Sequence, residues 1–136
     1  MAHALWNYDG ACKNIHGHSY RLFVTLLGIP SSDATDPKLG MVIDFKDLKS
    51  LVEKPVVDFF DHALVVHKSA DGETLDSIRK MYEKVHVFDF QPTCENLVLY
   101  IVKTIQELLS PDIDLHAVKL FETATSYAEW FACDNQ

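Results

Sequence analysis

Cys12-Lys-Asn-Ile-His16-Gly-His18-Ser-Tyr20-Arg-Leu-Phe-Val24-Thr-Leu-Leu-Gly28-Ile29 is the segment whose periodicity decides the fold class. From His18 to Ile29 the side chains alternate with the period of a strand. Tyr20, Leu22, Val24 and Leu26 share one face, while Ser19, Arg21, Phe23, Thr25 and Leu27 share the other. A strand is therefore expected over His18–Ile29, followed by a loop from Pro30 to Gly40, where Pro, Ser, Asp and Gly gather.

Further along, the pattern changes to that of helices. Met41–Ile43 is a short apolar run expected to pair with another segment, and Asp44 behind it has the chemistry of an N-cap. Phe45, Leu48, Leu51 and Val52 follow at helical spacing, predicting a helix from about Phe45 toward Pro55 or slightly beyond. Thr93 caps a second, longer helix carrying Leu97, Tyr100, Ile101, Ile105 and Leu108, which ends before Ser110-Pro111. A shorter helix is expected over Thr74–Lys84 and extended chain over Val85–Phe90. Strands at Leu115–Thr123 and Ser126–Phe131 are expected to form a hairpin. Strands at both ends, helices between them and no β–helix–β alternation predict an antiparallel α+β domain over residues 1–136.

Composition narrows the function classes. The 136 residues carry 20 acidic against 12 basic side chains, a net charge of −8, which argues against a grip on nucleic-acid phosphates. No apolar run approaches the roughly 20 residues that span a bilayer, and no charged-then-apolar leader opens the chain. Three cysteines, Cys12, Cys94 and Cys133, do not make a disulfide framework, so a reducing, cytoplasmic setting is expected. Seven histidines in so acidic a chain are left to explain.

On extended backbone, residues i and i+2 face the same side, so His16 and His18 present two imidazoles to one point. Together with His3, a neighbour in sequence, they would make the three-ligand zinc arrangement that keeps a position open for substrate. A chance pair in a His-rich chain is the competing reading. Cys12 reads as a nucleophile or general base if a cation lies near it, or as a small buried hydrophobe if none does. Asp61-His62 reads as a carboxylate–imidazole relay or as a polar helix end. Glu122 interrupts an apolar strand and either faces water or waits for a donor pair, such as the guanidine-like edge of a pterin or guanine. Glu95 has a sufficient explanation in the dipole of the helix it opens, and Cys94 is read as packing or backbone contact. His67, His86 and His116 stand alone and are read as structural or solvated.

Taken in order, Ala2-His3-Ala-Leu5, Cys12-x-x-x-His16-Gly-His18-x-Tyr20, Val42-Ile-Asp44-Phe-x-Asp-Leu-Lys49, Asp61-His62-x-Leu64, Pro92-Thr93-x-Glu95-Asn-Leu97 and Glu122-Thr123 resemble a known family over nearly the whole chain. It is the family of 6-pyruvoyltetrahydropterin synthase and 6-carboxytetrahydropterin synthase. The resemblance implies a tunnelling fold, a four-stranded antiparallel sheet with two helices on one face, assembled into an oligomeric barrel. The implied assembly is a homohexamer, a dimer of trimers, with active sites at subunit interfaces. Carried over to this chain, it makes His3, His16 and His18 ligands of Zn2+. It makes Cys12 the general base, Asp61 and His62 the relay pair and Glu122 the pterin anchor, and it places Thr93 and Glu95 among the substrate-binding residues.

The implied substrate is 7,8-dihydroneopterin triphosphate. The three residues between Cys12 and His16 are similar to the bacterial 6-carboxytetrahydropterin synthases of queuosine biosynthesis, whereas the animal pyruvoyl-forming type has a longer spacing. Formation of 6-carboxy-5,6,7,8-tetrahydropterin with release of acetaldehyde and triphosphate is therefore expected. The alternatives are pyruvoyl formation, an aldolase-type cleavage on the same fold, or a non-catalytic zinc- or pterin-binding protein. Two departures from the family pattern carry expectations of their own. Only Met1 and Ala2 precede His3, so the first strand is expected to be shortened unless the chain continues upstream. Val65-Val66 replaces the family's Leu-Asn, and the long stretch from there to Pro92 is expected to decorate the pocket mouth. Lys13, Arg21 and Lys38 are the cations considered for the triphosphate.

Overall fold

In the computed structural model, which describes residues 1–135, the chain opens with β1 (Ala2–His3). It pairs antiparallel with β2 (His16–Gly17), Ala2 opposite Gly17 and His3 opposite His16. After His18–Tyr20 the chain changes sheets and becomes β3 (Arg21–Gly28). The strand predicted over His18–Ile29 forms as β3, shorter at both ends: His16 pairs in the first sheet, and His18–Tyr20 link the two sheets. The alternation itself holds, with Leu22, Val24 and Leu26 half-buried and Arg21, Phe23, Thr25 and Leu27 exposed.

Gly28 ends β3 where the Val42 side chain comes so close that an added Cβ would lie 2.5 Å from Val42 Cγ1. Met41–Ile43 therefore packs against the strand end instead of pairing as a strand of its own. The loop before it closes through the Ser31 N–H to the Met41 carbonyl at 2.9 Å and the Gly40 N–H to the Ser31 carbonyl at 2.8 Å. Gly40 turns there with φ of +81°, a conformation that lacks a steric penalty only for glycine.

Asp44 caps α1 (Phe45–Val52), its carboxylate accepting from the Lys46 N–H at 2.7 Å. The helical stretch runs past Pro55 to Phe60. Proline offers no N–H and crowds the carbonyl four residues back, and the chain widens to a π turn over Glu53–Val57 before resuming as α2 (Asp58–Phe60). Phe45, expected on the apolar face, is 85% exposed; Leu48, Leu51 and Val52 are the residues that turn inward.

Next come β4 (Leu64–His67), α3 (Gly72–Met81) and β5 (Val85–Phe88), with Asp71 capping α3 by accepting from the Thr74 N–H. β4 runs parallel to both β1 and β5. The expectation of one wholly antiparallel four-stranded sheet is corrected here: the four-stranded sheet, in the order β2-β1-β4-β5, is mixed. A helix between two neighbouring strands returns the chain to the end where it started, so β5 must run parallel to β4. The 66–91 stretch therefore contributes a strand to the sheet and is more than a decoration of the pocket mouth.

Thr93 caps α4 (Cys94–Gln106) as predicted, its hydroxyl oxygen accepting from the Asn96 N–H at 3.4 Å. β6 (Ile113–Phe121) pairs antiparallel with β3 and with β7 (Tyr127–Phe131), completing a three-stranded antiparallel sheet in the order β3-β6-β7. α4 buries Leu97, Val98, Ile101, Val102 and Ile105 against Val118 and Leu120 of β6 and Trp130 of β7. Val56 and Phe60 of the α1–α2 stretch join the same core. Among the described residues, no helix is long and apolar enough to cross a membrane. Leu97 is 1% exposed at the centre of this core. Replacing it with Ala is expected to cost about 2–5 kcal/mol, read as a lower urea midpoint at unchanged slope.

Candidate metal centre and active site

The β1–β2 ladder sets His3 opposite His16, and the centre is built on that pairing. His3 is 2% exposed, and its Nδ1–H donates to the Pro92 carbonyl at 2.7 Å. His16 does the same toward the Asn14 carbonyl at 2.8 Å. A carbonyl can only accept, so both rings carry their proton on Nδ1 and aim bare Nε2 lone pairs inward. Those two Nε2 atoms are 3.1 Å apart, a repulsive approach unless a proton or a cation lies between them. His18 completes the group, with ring centroids 5.5 Å from His3 and 5.0 Å from His16.

One ligand atom from each of the three rings lies within 4.8 Å of the others. Nitrogens bound tetrahedrally at 2.0–2.1 Å from a zinc ion stand about 3.3 Å apart, so the donor set suits such an ion. Backbone carbonyls that orient ligand imidazoles are the usual outer support of such sites.

Two further side chains close one side of the triad. Tyr20 donates its hydroxyl to Glu122 Oε1 at 3.0 Å, and the same carboxylate oxygen lies 3.5 Å from His3 Nε2 and 4.0 Å from His18 Nε2. Burial, reinforced by the Glu122 charge, pushes the Tyr20 phenol far above its ordinary range, so it keeps its proton and acts as a donor. Tyr20 was legible only as one member of an apolar strand face; its partner is 102 residues away. Glu122 sits one residue past the end of β6, where its N–H donates to the Ser126 carbonyl at 3.0 Å. It belongs to the β6–β7 turn, and this corrects the expectation that it lies inside the strand.

Cys12 lies half-buried on the short turn Ala11–Lys13. The Asp61 carboxylate and His62 Nδ1 bond each other at 2.9 Å, and this hydrogen bond holds the Asp61 carboxyl below the usual carboxylate range. Both residues line a cleft of about 790 Å3 together with Met1, His18, Ser19 and Tyr20. The His62 side chain is 90% exposed at its mouth. Thr93 is engaged in capping α4, and Glu95 is exposed in the first turn of that helix. Cys94 donates to the Leu120 carbonyl at 3.3 Å, and burial pushes its thiol up to about 11. Of the three cations considered for a triphosphate, Lys38 is tied to Asp47 and Arg21 stands over the Phe121 ring at 4.9 Å. Lys13 lines a second cleft, of about 520 Å3, with Trp6 and Tyr8.

Metal capture by the triad should weaken in acid. Burial holds the His3 pKa below its ordinary 6.5. In the folded chain the ring therefore favours its neutral, metal-binding form, and that preference contributes fully above about pH 6.5. The folded ring takes up its proton only as pH falls below 6.5 toward that lowered value, and a protonated ring cannot bind the metal. Competition with a chromophoric chelator from pH 8 to pH 5 is expected to show affinity flat at the alkaline end and falling below about pH 6.5.

Comparison with known proteins gives a consistent picture. A family model described as 6-pyruvoyl tetrahydropterin synthase matches residues 1–133. The chain is 35% identical over 133 residues to the 6-carboxy-5,6,7,8-tetrahydropterin synthase of Haemophilus influenzae, covering 96% of this chain and 91% of that one. It is 31% identical over 116 residues to the human 6-pyruvoyl tetrahydrobiopterin synthase, covering 84% of this chain and 66% of that protein. The solved structure of the Caenorhabditis elegans 6-pyruvoyl tetrahydropterin synthase superposes with a TM-score of 0.64 at 26% identity, over 96% of this chain and 87% of that one.

Proposed function

The chain belongs to the 6-pyruvoyl tetrahydropterin synthase family, and on that premise we propose that it is a zinc-dependent lyase. The proposed reaction converts 7,8-dihydroneopterin triphosphate to 6-carboxy-5,6,7,8-tetrahydropterin, releasing acetaldehyde and triphosphate, as a step toward queuosine. The observation that carries the reading is the His3–His16–His18 triad, with the Nδ1 atoms of His3 and His16 fastened to backbone carbonyls and one ligand atom from each ring within 4.8 Å of the others. When bound there, zinc supplies Lewis acidity to the oxygens of the substrate side chain.

The chain's own residues do the rest. Glu122, which accepts the Tyr20 hydroxyl, also accepts two N–H groups from the pterin edge and fixes the ring so that its side chain reaches the triad. Cys12 removes a proton from the side chain, and the Asp61–His62 pair carries a proton on the other side, its imidazole oriented by the carboxylate bond. Thr93 and Glu95 lie at the start of α4, where Cys94 donates to the Leu120 carbonyl two residues before Glu122, and they support substrate from there. The enzyme is proposed to act in the cytoplasm as a homohexamer with active sites shared between subunits; sedimentation equilibrium tests the assembly.

The similarity to the human 6-pyruvoyl tetrahydrobiopterin synthase favours a second reading, pyruvoyl formation from the same substrate. The experiment is incubation of the zinc-loaded protein with 7,8-dihydroneopterin triphosphate followed by mass spectrometry. A 6-carboxy product with acetaldehyde supports the first reading, a pyruvoyl product the second, and an unchanged substrate rejects both.

A further inference from the structure

We propose that Lys84, at the end of the β4–β5 crossover, is a positioning residue that holds the Asp61–His62 turn in place against the strand carrying His3. The proposal rests on the reading of Asp61 and His62 as the proton-relay pair. α2 ends at Asp61, which is already extended at ψ of 127°, and His62 follows with φ of 57°. A left-handed backbone at a residue with a side chain is uncommon and persists where its surroundings impose it. The last carbonyls of a helix are also left without partners and carry the negative end of its dipole.

Lys84 meets both needs at one point. Its ammonium donates to the carbonyl of Asp58 and to that of Asp61. Its own carbonyl accepts the Leu64 N–H at 2.9 Å. The four residues Asp61–Leu64 are thus gripped at both ends by one lysine, through its side chain and through its backbone. The next link runs toward the metal centre: the Ala63 carbonyl accepts the Ala2 N–H at 2.8 Å, and Ala2 precedes His3. The path Lys84, Asp61–His62, Ala63, Ala2 and His3 is continuous hydrogen bonding and covalent chain. It ties the proton-moving pair to the triad in one frame. The lysine comes from the 66–91 stretch, which none of the site assignments above uses.

The test compares the zinc-loaded wild type with Lys84→Met, which keeps the length and loses the charge and donors, and with Lys84→Arg and Lys84→Gln. For Lys84→Met, kcat on 7,8-dihydroneopterin triphosphate is expected to fall about 10–100-fold, since small misplacements of reacting groups cost that much. KM and zinc content should stay within about twofold, a split that loss of folding does not produce. Lys84→Arg should restore most of kcat. Lys84→Met with kcat within twofold of wild type overturns the proposal, and so does an equal loss of kcat and zinc. If Lys84→Met does not fold, Lys84→Gln, which keeps one donor, is judged by the same criteria.

If the wild type does not turn over this substrate, the proposed reaction fails. The clamp is then decided by NMR without substrate. A changed His62 backbone coupling and faster amide exchange at Ala63 and Leu64 in Lys84→Met support it, and unchanged values overturn it.

Discussion

Replacing His16 with Ala is expected to remove zinc and activity together. The metal content should fall from one ion per chain toward none, with affinity down by more than the 10–100-fold typical of outer-shell changes, because a ligand itself is lost. Product formation should drop below about 1% of wild type. The variant is expected to fold, since the β1–β2 pairing of His3 with His16 is made by backbone and the His16 side chain is only half-buried. Atomic absorption, far-UV circular dichroism and product assay on one preparation give the three readouts. A folded His16→Ala protein with full zinc and wild-type turnover would sink the triad as the metal centre.

The second large effect is at Glu122. Glu122→Gln keeps the volume and an acceptor for the Tyr20 hydroxyl at the same position but removes the charge. Two charge-assisted hydrogen bonds to the pterin edge would weaken, at about 1.5–3 kcal/mol for each bond lost. kcat/KM is therefore expected to fall roughly 10²–10⁴-fold, with zinc content unchanged. The geometry also frames the opposing outcome. Glu122 Oε1 lies 3.5 Å from His3 Nε2, so if Glu122→Gln loses zinc along with activity, this carboxylate serves the metal and not the ring.

Much of the fold's local structure was legible in the chain. The caps Asp44 and Thr93 act through side-chain bonds to N–H groups two and three residues on. The alternation of β3 and the apolar stripe of α4 both survive into the folded core, because burial acts on each element's own face. The first helix passes Pro55 because a helix can absorb one proline by widening to a π turn when both flanking stretches pack on the same core. The strand expected over His18–Ile29 formed over Arg21–Gly28, its first residues serving instead to carry the chain from one sheet to the other.

What the amino-acid sequence by itself determined were the periodicities, the caps, the His-Gly-His spacing and an ordered set of motifs that names a family. Each is a property of residues close together in the chain. The tertiary structure decided strand direction, the mixed sheet, the partnership of Tyr20 with Glu122 and the placing of Asp61–His62 beside β1. Those depend on pairings between distant residues: 89 positions separate His3 from the Pro92 carbonyl that orients it, and 102 separate Tyr20 from Glu122. No local propensity encodes such a pairing. It is set when α4 buries its apolar face against β6 and β7, which brings the Pro92 end of the helix and the β6–β7 turn to the same side of the molecule.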